Sequence, residues 1–186
     1  MKHATLLLAL LGCAELLISG CAHSVPFVHQ MRADYELGPD QLKQIQYYVS
    51  GQITLRRELT DQETSVTSGH ELKVINDKRI EEVVVLPGTP GIAVDSNSDF
   101  IRISFEEGGH LNFGSNPDHR DRNGGKYFLG AKWQPRHGGL ARGELKYQDK
   151  TYEVIIHGGE VYLLVDMKKV SSFKKESRVV GGRKLD

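Results

Sequence analysis

Short apolar stretches that alternate with polar residues, each ended by a turn signal, run through most of this sequence. They recur roughly every 8–12 residues between positions 52 and 165. The clearest one places Ile101, Ile103 and Phe105 on one side and polar residues on the other, which is the period of a half-buried strand. Short strands at this spacing, with glycine turns between them, are typical of a small barrel or sandwich. The sequence therefore predicts a mainly β fold.

The predicted strands share this alternation or a short apolar run, and they cover residues 52–59, 71–75, 79–86, 92–94, 101–105, 111–113, 127–133, 144–147, 151–156 and 161–165. One short helix is predicted ahead of them. It begins at Pro39, which suits the first helical turn, and its apolar face contains Leu42, Ile45 and Tyr48 or Val49.

A loop of prolines and glycines, Pro87-Gly88-Thr89-Pro90-Gly91, separates two predicted strands. Proline lacks a backbone donor and glycine admits positive φ, so we expect this loop to end one strand and turn the chain at a barrel corner. The segment 79–113 resembles a bacterial SH3-like barrel in its order of strand, Gly-Thr-Pro-Gly loop, Ile-Ala-Val, Ile-Arg-Ile-Ser-Phe and Gly-Gly turn. The resemblance implies a small SH3-like barrel; a β-sandwich is the alternative, in either case with the short N-terminal helix.

Both cysteines, Cys13 and Cys21, lie within the first 21 residues. A domain that follows them cannot contain a disulfide, a catalytic thiol or a cysteine-ligated zinc. We therefore expect a monomeric β-rich unit that is stabilised by packing and strand pairing, without metal or cofactor. Lys plus Arg and Asp plus Glu both number 24, and this balance gives no general reason to bind nucleic acid.

The N-terminus has the order of an export signal. Lys2 precedes two apolar stretches, 6–11 and 16–18, which end in Ile18-Ser19-Gly20-Cys21. This ending resembles the lipobox of bacterial lipoproteins. The resemblance implies a signal peptide over 1–20, with Cys21 as the first mature residue. Its thiol would carry a diacylglyceryl group that attaches the protein to a membrane. Ala22 in place of Asp favours the outer membrane, on its periplasmic face.

Two alternatives stay open for this segment. The lipobox could instead be Leu10-Leu11-Gly12-Cys13, although the apolar segment would then be very short, or the chain could carry an ordinary secretory signal with a chance cysteine. Glu15 is unfavourable within the apolar segment. With Cys21 as the site, the sequence predicts a lipidated tether over 21–37 and a single β-rich domain with a basic C-terminal tail over 38–186.

Histidines are the main candidates for catalysis or metal binding. His119 is flanked by Asp118 and Asp121 in a polar loop, and His110 and His137 lie nearby in sequence, so a divalent metal site can be imagined. No pair has a recognised ligand spacing, and no nucleophile motif is present. A small metal-dependent or hydrolytic envelope enzyme is therefore the alternative hypothesis, and a non-enzymatic protein is favoured.

Two features favour binding. Tyr127, Phe128 and Trp133 lie between two polar loops, and aromatic rings at a barrel rim contact sugars or peptide side chains; the alternative is that they fill the core. The stretch 168–184 has seven cationic residues against one Glu, which suits anionic lipid or cell-wall polymer; the alternative is a solvated edge. The sequence thus favours a lipoprotein that binds or scaffolds a periplasmic protein or a cell-wall component.

Overall fold

The computed structural model of this chain describes residues 24–60, 71–75, 78–115, 124–135 and 138–173. The strands within these residues are β1 Ser24–Pro26, β2 Gln46–Val49, β3 Ile53–Glu58, β4 Glu71–Ile75, β5 Lys78–Val85, β6 Pro90–Ser96, β7 Phe100–Glu106, β8 Gly109–Gly114, β9 Phe128–Leu129, β10 Lys132–Trp133, β11 Leu140–Tyr147, β12 Lys150–His157 and β13 Leu163–Asp166. The helices are α1 His29–Asp34, α2 Pro39–Leu42 and α3 Met167–Ser171. The mainly β prediction is confirmed.

The strands form two antiparallel sheets. The first has seven strands in the order β1-β13-β2-β6-β7-β8-β9, and the second has six in the order β10-β11-β12-β3-β5-β4. The first sheet curls like part of a barrel, because its last strand also bonds to the chain that leads into β13. Leu129 N–H donates to the Val161 carbonyl at 2.9 Å, and Leu163 N–H donates to the Tyr127 carbonyl at 3.0 Å.

The chain passes between the sheets at short corners. The corner between β5 and β6 lies within the predicted loop and carries the chain from the second sheet to the first. The predicted end of the loop is wrong, because Pro90 and Gly91 pair with β2 as the first residues of β6. Gly88 has the expected positive φ of 77°, but Gly91 does not. Gly91 is instead required for space, because a β-carbon there would stand 2.5 Å from Ile103 Cγ2 and 2.7 Å from Phe105 Cδ1.

Alternation places one side of each strand in a common core. In β7 and β8, for example, Ile101, Ile103, Leu111 and Phe113 are buried, while the residues between them are partly or fully exposed. Burial of such side chains is the main stabilising contribution to this fold. The largest fully buried side chains are Tyr47, Tyr127, Tyr147, Tyr152, Phe27, Phe113, Leu42, Ile45, Ile53, Leu55, Ile101 and Ile103.

The tether predicted over residues 21–37 is wrong for the described part of that range. Ser24–Pro26 pairs with β13, Phe27 is fully buried, and α1 follows. The Arg32 guanidinium donates to the carbonyls of Asn97 and Ser98, which attaches α1 to the turn between β6 and β7. This segment lacks a long periodic pattern because its contacts are with distant parts of the chain.

The helix predicted from Pro39 ends at Leu42, and the residues expected to continue it form β2 instead. Tyr47 and Val49 are buried, and Tyr48 between them pairs with Pro90 and Leu164 on the two neighbouring strands. Pairing on both sides thus outweighs the helical spacing. The predicted strand 127–133 is likewise divided between β9 and β10 in different sheets. No helix among the described residues is long and apolar enough to span a membrane.

Candidate functional site

A cleft of about 210 Å³ lies where the chain leaves the first sheet for the second. Its lining is mostly apolar and consists of Phe128, Leu129, Trp133, Gln134, Ala141, Ile156, Gly159, Glu160 and Val161. It thus combines the end of β9, the short strand β10, both strands of the β11–β12 hairpin and the connection to β13. Two of the three aromatic residues singled out in the sequence, Phe128 and Trp133, meet in this cleft.

Trp133 is held at one wall by strand pairing. It lies on the edge strand β10 opposite Gly143 of β11, and its indole packs so close to Gly143 that a β-carbon there would stand 2.9 Å from Cε3. The residue nevertheless remains 42% exposed. A large apolar ring fixed by the backbone and open to solvent is suited to binding.

Phe128 also lines the cleft and is held by another aromatic ring. Its ring packs edge-to-face against Tyr162 with centroids 5.9 Å apart, and the Lys126 ammonium lies 4.5 Å from the Tyr162 ring centroid. Main-chain pairing of Phe128 with Gly114 and Tyr162 fixes its position on both sides. The cleft is therefore built on paired backbone, which favours a preformed site.

A second hollow, of about 190 Å³, shares Ala141 and Gly159 with the cleft, and its other lining residues are Gly138, Gly139 and Gly158. Gly158 N–H donates to the Gly139 carbonyl at 3.0 Å, which joins the two ends of the β11–β12 hairpin. Gly158 and Gly159 have φ values of 82° and 148°, so glycine is required at both. The cleft thus continues into a surface that is almost free of side chains, formed by Gly138, Gly139, Gly158 and Gly159 and called the glycine floor below.

The chemistry of the cleft suits recognition. Among the described lining residues, Glu160 is the one ionisable side chain and Gln134 the one amide, and no histidine or hydroxyl is present. The volume is below the 300–1,000 Å³ that is common for sites of drug-sized ligands. A single ring or a single side chain therefore fits this space, with the glycine floor available for the rest of an extended ligand.

Tyr127, the third aromatic residue, belongs to the core and not to the cleft. It is fully buried, and its ring centroid lies 5.3 Å from that of Phe27. Its hydroxyl lies 3.2 Å from His29 Nδ1 and accepts from Arg32 at 3.1 Å. The core alternative that the sequence left open is thus correct for this residue, which attaches α1 to the first sheet.

The proposed metal ligands are only partly within the described residues. His110 is partly buried in β8. His119 and His137 lie outside the described residues, as do Cys21 and the tail from 174 onward. Among the described residues, no group of three or more His, Cys, Asp or Glu side chains is arranged to hold a metal ion.

A buried charged cluster was not recognised from the sequence. Glu81 is 2% exposed, and its carboxylate accepts from Arg57 at 2.8 Å and from the Tyr152 hydroxyl at 2.9 Å. Burial and this bond to Glu81 raise the pKa of Tyr152 to about 12. The signal was present as Arg56-Arg57 and Glu81-Glu82 in neighbouring strands, which pair in register. We assign this cluster to stability.

Glu106 extends this polar region, since it accepts from the Tyr147 hydroxyl at 2.7 Å and from Gln148 at 3.2 Å. Burial raises the pKa of Tyr147 well above its ordinary value, and the bond to Glu106 adds to the rise. Tyr147 and Tyr152 pack edge-to-face with centroids 5.9 Å apart. None of these residues lines the cleft beside Trp133.

Comparison of this chain with protein-family models, with curated proteins and with solved structures found no match.

Proposed function

We propose that this protein is a non-enzymatic lipoprotein of the cell envelope, whose β-rich domain binds a cell-wall component or a periplasmic protein in the cleft beside Trp133. The observation that carries the binding role is the exposed indole, which is fixed over Gly143 at one wall of a preformed apolar cleft. The acyl anchor is supported by the resemblance of Ile18-Ser19-Gly20-Cys21 to a lipobox. The curled first sheet is compatible with an SH3-like barrel.

Of the two partner classes, we favour the saccharide part of a cell-wall polymer. A sugar ring presents a flat apolar face that can stack on an indole, and its hydroxyl groups can bond to backbone groups that a glycine floor leaves accessible. A protein side chain could fill the same apolar cleft. It would make less use of the adjoining floor at Gly138, Gly139, Gly158 and Gly159.

Cosedimentation with insoluble cell-wall material tests the binding role. We expect Trp133→Ala to weaken binding by about tenfold or more, because the change removes the apolar area of the indole and a stacking contact of about 0.5–1.5 kcal/mol. Gly139→Leu should also weaken it by filling the floor, since nothing lies within 4 Å of a β-carbon there and Gly139 is not in a positive-φ conformation. Val94→Ala, at an exposed residue outside the cleft, is the control. Equal binding by all four proteins would refute the cleft as the site.

Incorporation of labelled fatty acid tests the anchor. We expect the wild-type chain and Cys13→Ala to be labelled and Cys21→Ala to remain an unlabelled precursor. Labelling of Cys21→Ala would show that Cys21 is not the lipidated residue. The site would then be Cys13, or the proposed lipobox would be refuted. The two tests are independent, because the cleft and the lipid are at different places in the chain.

A further inference from the structure

The first strand begins only three residues after Cys21, so an acyl chain on Cys21 would hold the folded domain directly at the membrane. Ser24 is already paired in the first sheet, opposite Asp166 of β13. Three residues span at most about 11 Å when fully extended. The part of the domain around Ser24 would therefore lie within about 11 Å of the lipidated residue, at the lipid headgroups.

The same end of the sheet carries a basic element. Helix α3 begins directly after Asp166, whose carboxylate accepts from the Lys168 N–H at 2.8 Å. Lys168 and Lys169 are both exposed, and in the described part of the chain neither forms an ion pair with a carboxylate. The sequence that follows α3 adds the cationic residues Lys174, Lys175, Arg178, Arg183 and Lys184.

We propose that the surface formed by Ser24 and α3 rests on an anionic bilayer, with Lys168 and Lys169 contacting the headgroups. The charge is complementary to acidic phospholipids, and a lysine near such a surface contributes about 1 kcal/mol to attraction, which corresponds to roughly fivefold in binding. The acyl chain on Cys21 belongs to the proposed function, on which this inference rests. The basic surface adds an electrostatic contact with the headgroups beside the lipid on Cys21.

This orientation leaves the cleft open. Asp166 is at one end of β13, whereas Val161, which lines the cleft, precedes its other end. Five residue steps of extended chain lead from Val161 to Asp166, about 16 Å along the strand. The Trp133 cleft and the basic helix are thus at opposite ends of one strand, and a lipid-bound protein would present the cleft away from the bilayer.

Vesicle binding by the unacylated chain from Ala22 tests the surface separately from the anchor, since every described element of both sheets begins at Ser24 or later. The probes are vesicles of phosphatidylglycerol with phosphatidylethanolamine and vesicles of phosphatidylcholine alone. We expect binding to the anionic vesicles only, and Lys168→Ala/Lys169→Ala should reduce it by about 25-fold, roughly fivefold for each lysine. The matched control is Lys132→Ala/Lys146→Ala, which removes the same charge from exposed positions in the second sheet.

An equal loss in the control variant would show that only net charge matters and would overturn the proposal, as would anionic binding that does not depend on Lys168 and Lys169. Trp133 supplies a second measurement, because it is the only tryptophan. Lipid-borne quenchers should leave its emission unchanged in the bound state, and strong quenching would place the cleft at the bilayer. If Cys21 is not acylated, the proposed anchor is refuted. The dependence of vesicle binding on Lys168 and Lys169 then tests the proposed membrane-binding surface by itself.

Discussion

The indole of Trp133 takes up the space above Gly143, so that a β-carbon on this glycine would stand 2.9 Å from the indole Cε3 and 2.9 Å from the Lys132 carbonyl oxygen. Real β-carbons do not approach other atoms so closely. The absence of a side chain at Gly143 therefore allows β10 and the indole to lie this close to β11. Trp133 depends on its partner strand for the orientation that opens it to the cleft.

We expect Gly143→Ala to displace the indole and to lower the free energy of unfolding by about 1–3 kcal/mol, the usual cost of adding an atom to a packed contact. Trp133 is the only tryptophan, so its emission spectrum reports this displacement directly. Gly139→Ala is the control, because nothing lies within 4 Å of a β-carbon at that position. Unchanged emission and unchanged urea unfolding of the Gly143 variant would contradict the close contact.

The hairpins and the corner of this fold could be predicted because their signals are local. Gln148 and Asp149 form the turn between β11 and β12 with φ values of 47° and 60°, and the strands on either side alternate buried and exposed residues. Each strand of this hairpin carries its own pattern, and the turn lies between them in sequence. No distant contact is needed to recognise such a unit.

The errors fall where distant contacts decide the structure. Ser24–Pro26 is only three residues long, and it is a strand because β13, far away in sequence, pairs with it. Phe128 and Trp133 are in the cleft while Tyr127 is in the core, and the sequence presents all three as one aromatic stretch. The division follows from the change of sheet between β9 and β10, which has no local signal.

Tyr47 and Tyr127 are both buried, but their hydroxyl groups differ in hydrogen bonding. Tyr47 is fully buried, and its hydroxyl has no hydrogen-bond partner among the described residues. We expect Tyr47→Phe to leave the free energy of unfolding unchanged or to raise it, since removing an unpaired buried polar group removes its desolvation cost. Tyr127→Phe should lower it by about 1 kcal/mol, because that hydroxyl contacts His29 and Arg32. A loss above about 1 kcal/mol in Tyr47→Phe would instead indicate a bridging water.

Glu81 should be among the most sensitive charged residues in the described part of the fold. Its pair with Arg57 is almost wholly buried, and loss of one partner from a buried pair typically costs about 3–5 kcal/mol. We therefore expect Glu81→Gln to lower the urea midpoint strongly. Glu58→Gln is the matched control in the neighbouring strand β3, because its pair with Lys78 is exposed and such pairs contribute about 0–1 kcal/mol. Similar midpoints for the two variants would contradict a stabilising role for the cluster.

Alkaline pH should destabilise the fold through Tyr152. Burial and the bond to Glu81 raise its pKa to about 12 in the folded state, above the ordinary value of 10.0. A phenol with a raised folded pKa stabilises the protein below pH 10, and this contribution is lost as the pH rises from about 10 to about 12. We expect the free energy of unfolding to fall across this window, by at most about 1.4 kcal/mol per pH unit for this group. In Tyr152→Phe, the free energy of unfolding should fall less steeply with pH over this window. An identical fall in the variant and the wild type would mean that another group causes the alkaline destabilisation.

Two different physical reasons can require glycine at position 91, at the start of β6. The sequence suggested positive φ, whereas the structure shows close packing against Ile103 and Phe105. We expect Gly91→Val to lower the free energy of unfolding by about 1–3 kcal/mol through overpacking. Ile92→Val, at the exposed neighbour, should change it by less than about 0.5 kcal/mol.

A double-mutant cycle distinguishes the two reasons. If crowding by Phe105 causes the loss, Phe105→Ala should make room for the new side chain, and the loss caused by Gly91→Val should be smaller in that background. Backbone strain at residue 91 would remain whatever occupies position 105, so the two losses would then simply add. Urea unfolding of the wild-type chain, both single variants and the double variant measures this coupling. Additive losses would exclude crowding by Phe105, and would leave crowding by Ile103 or the backbone of Gly91 as the reason for glycine at this position.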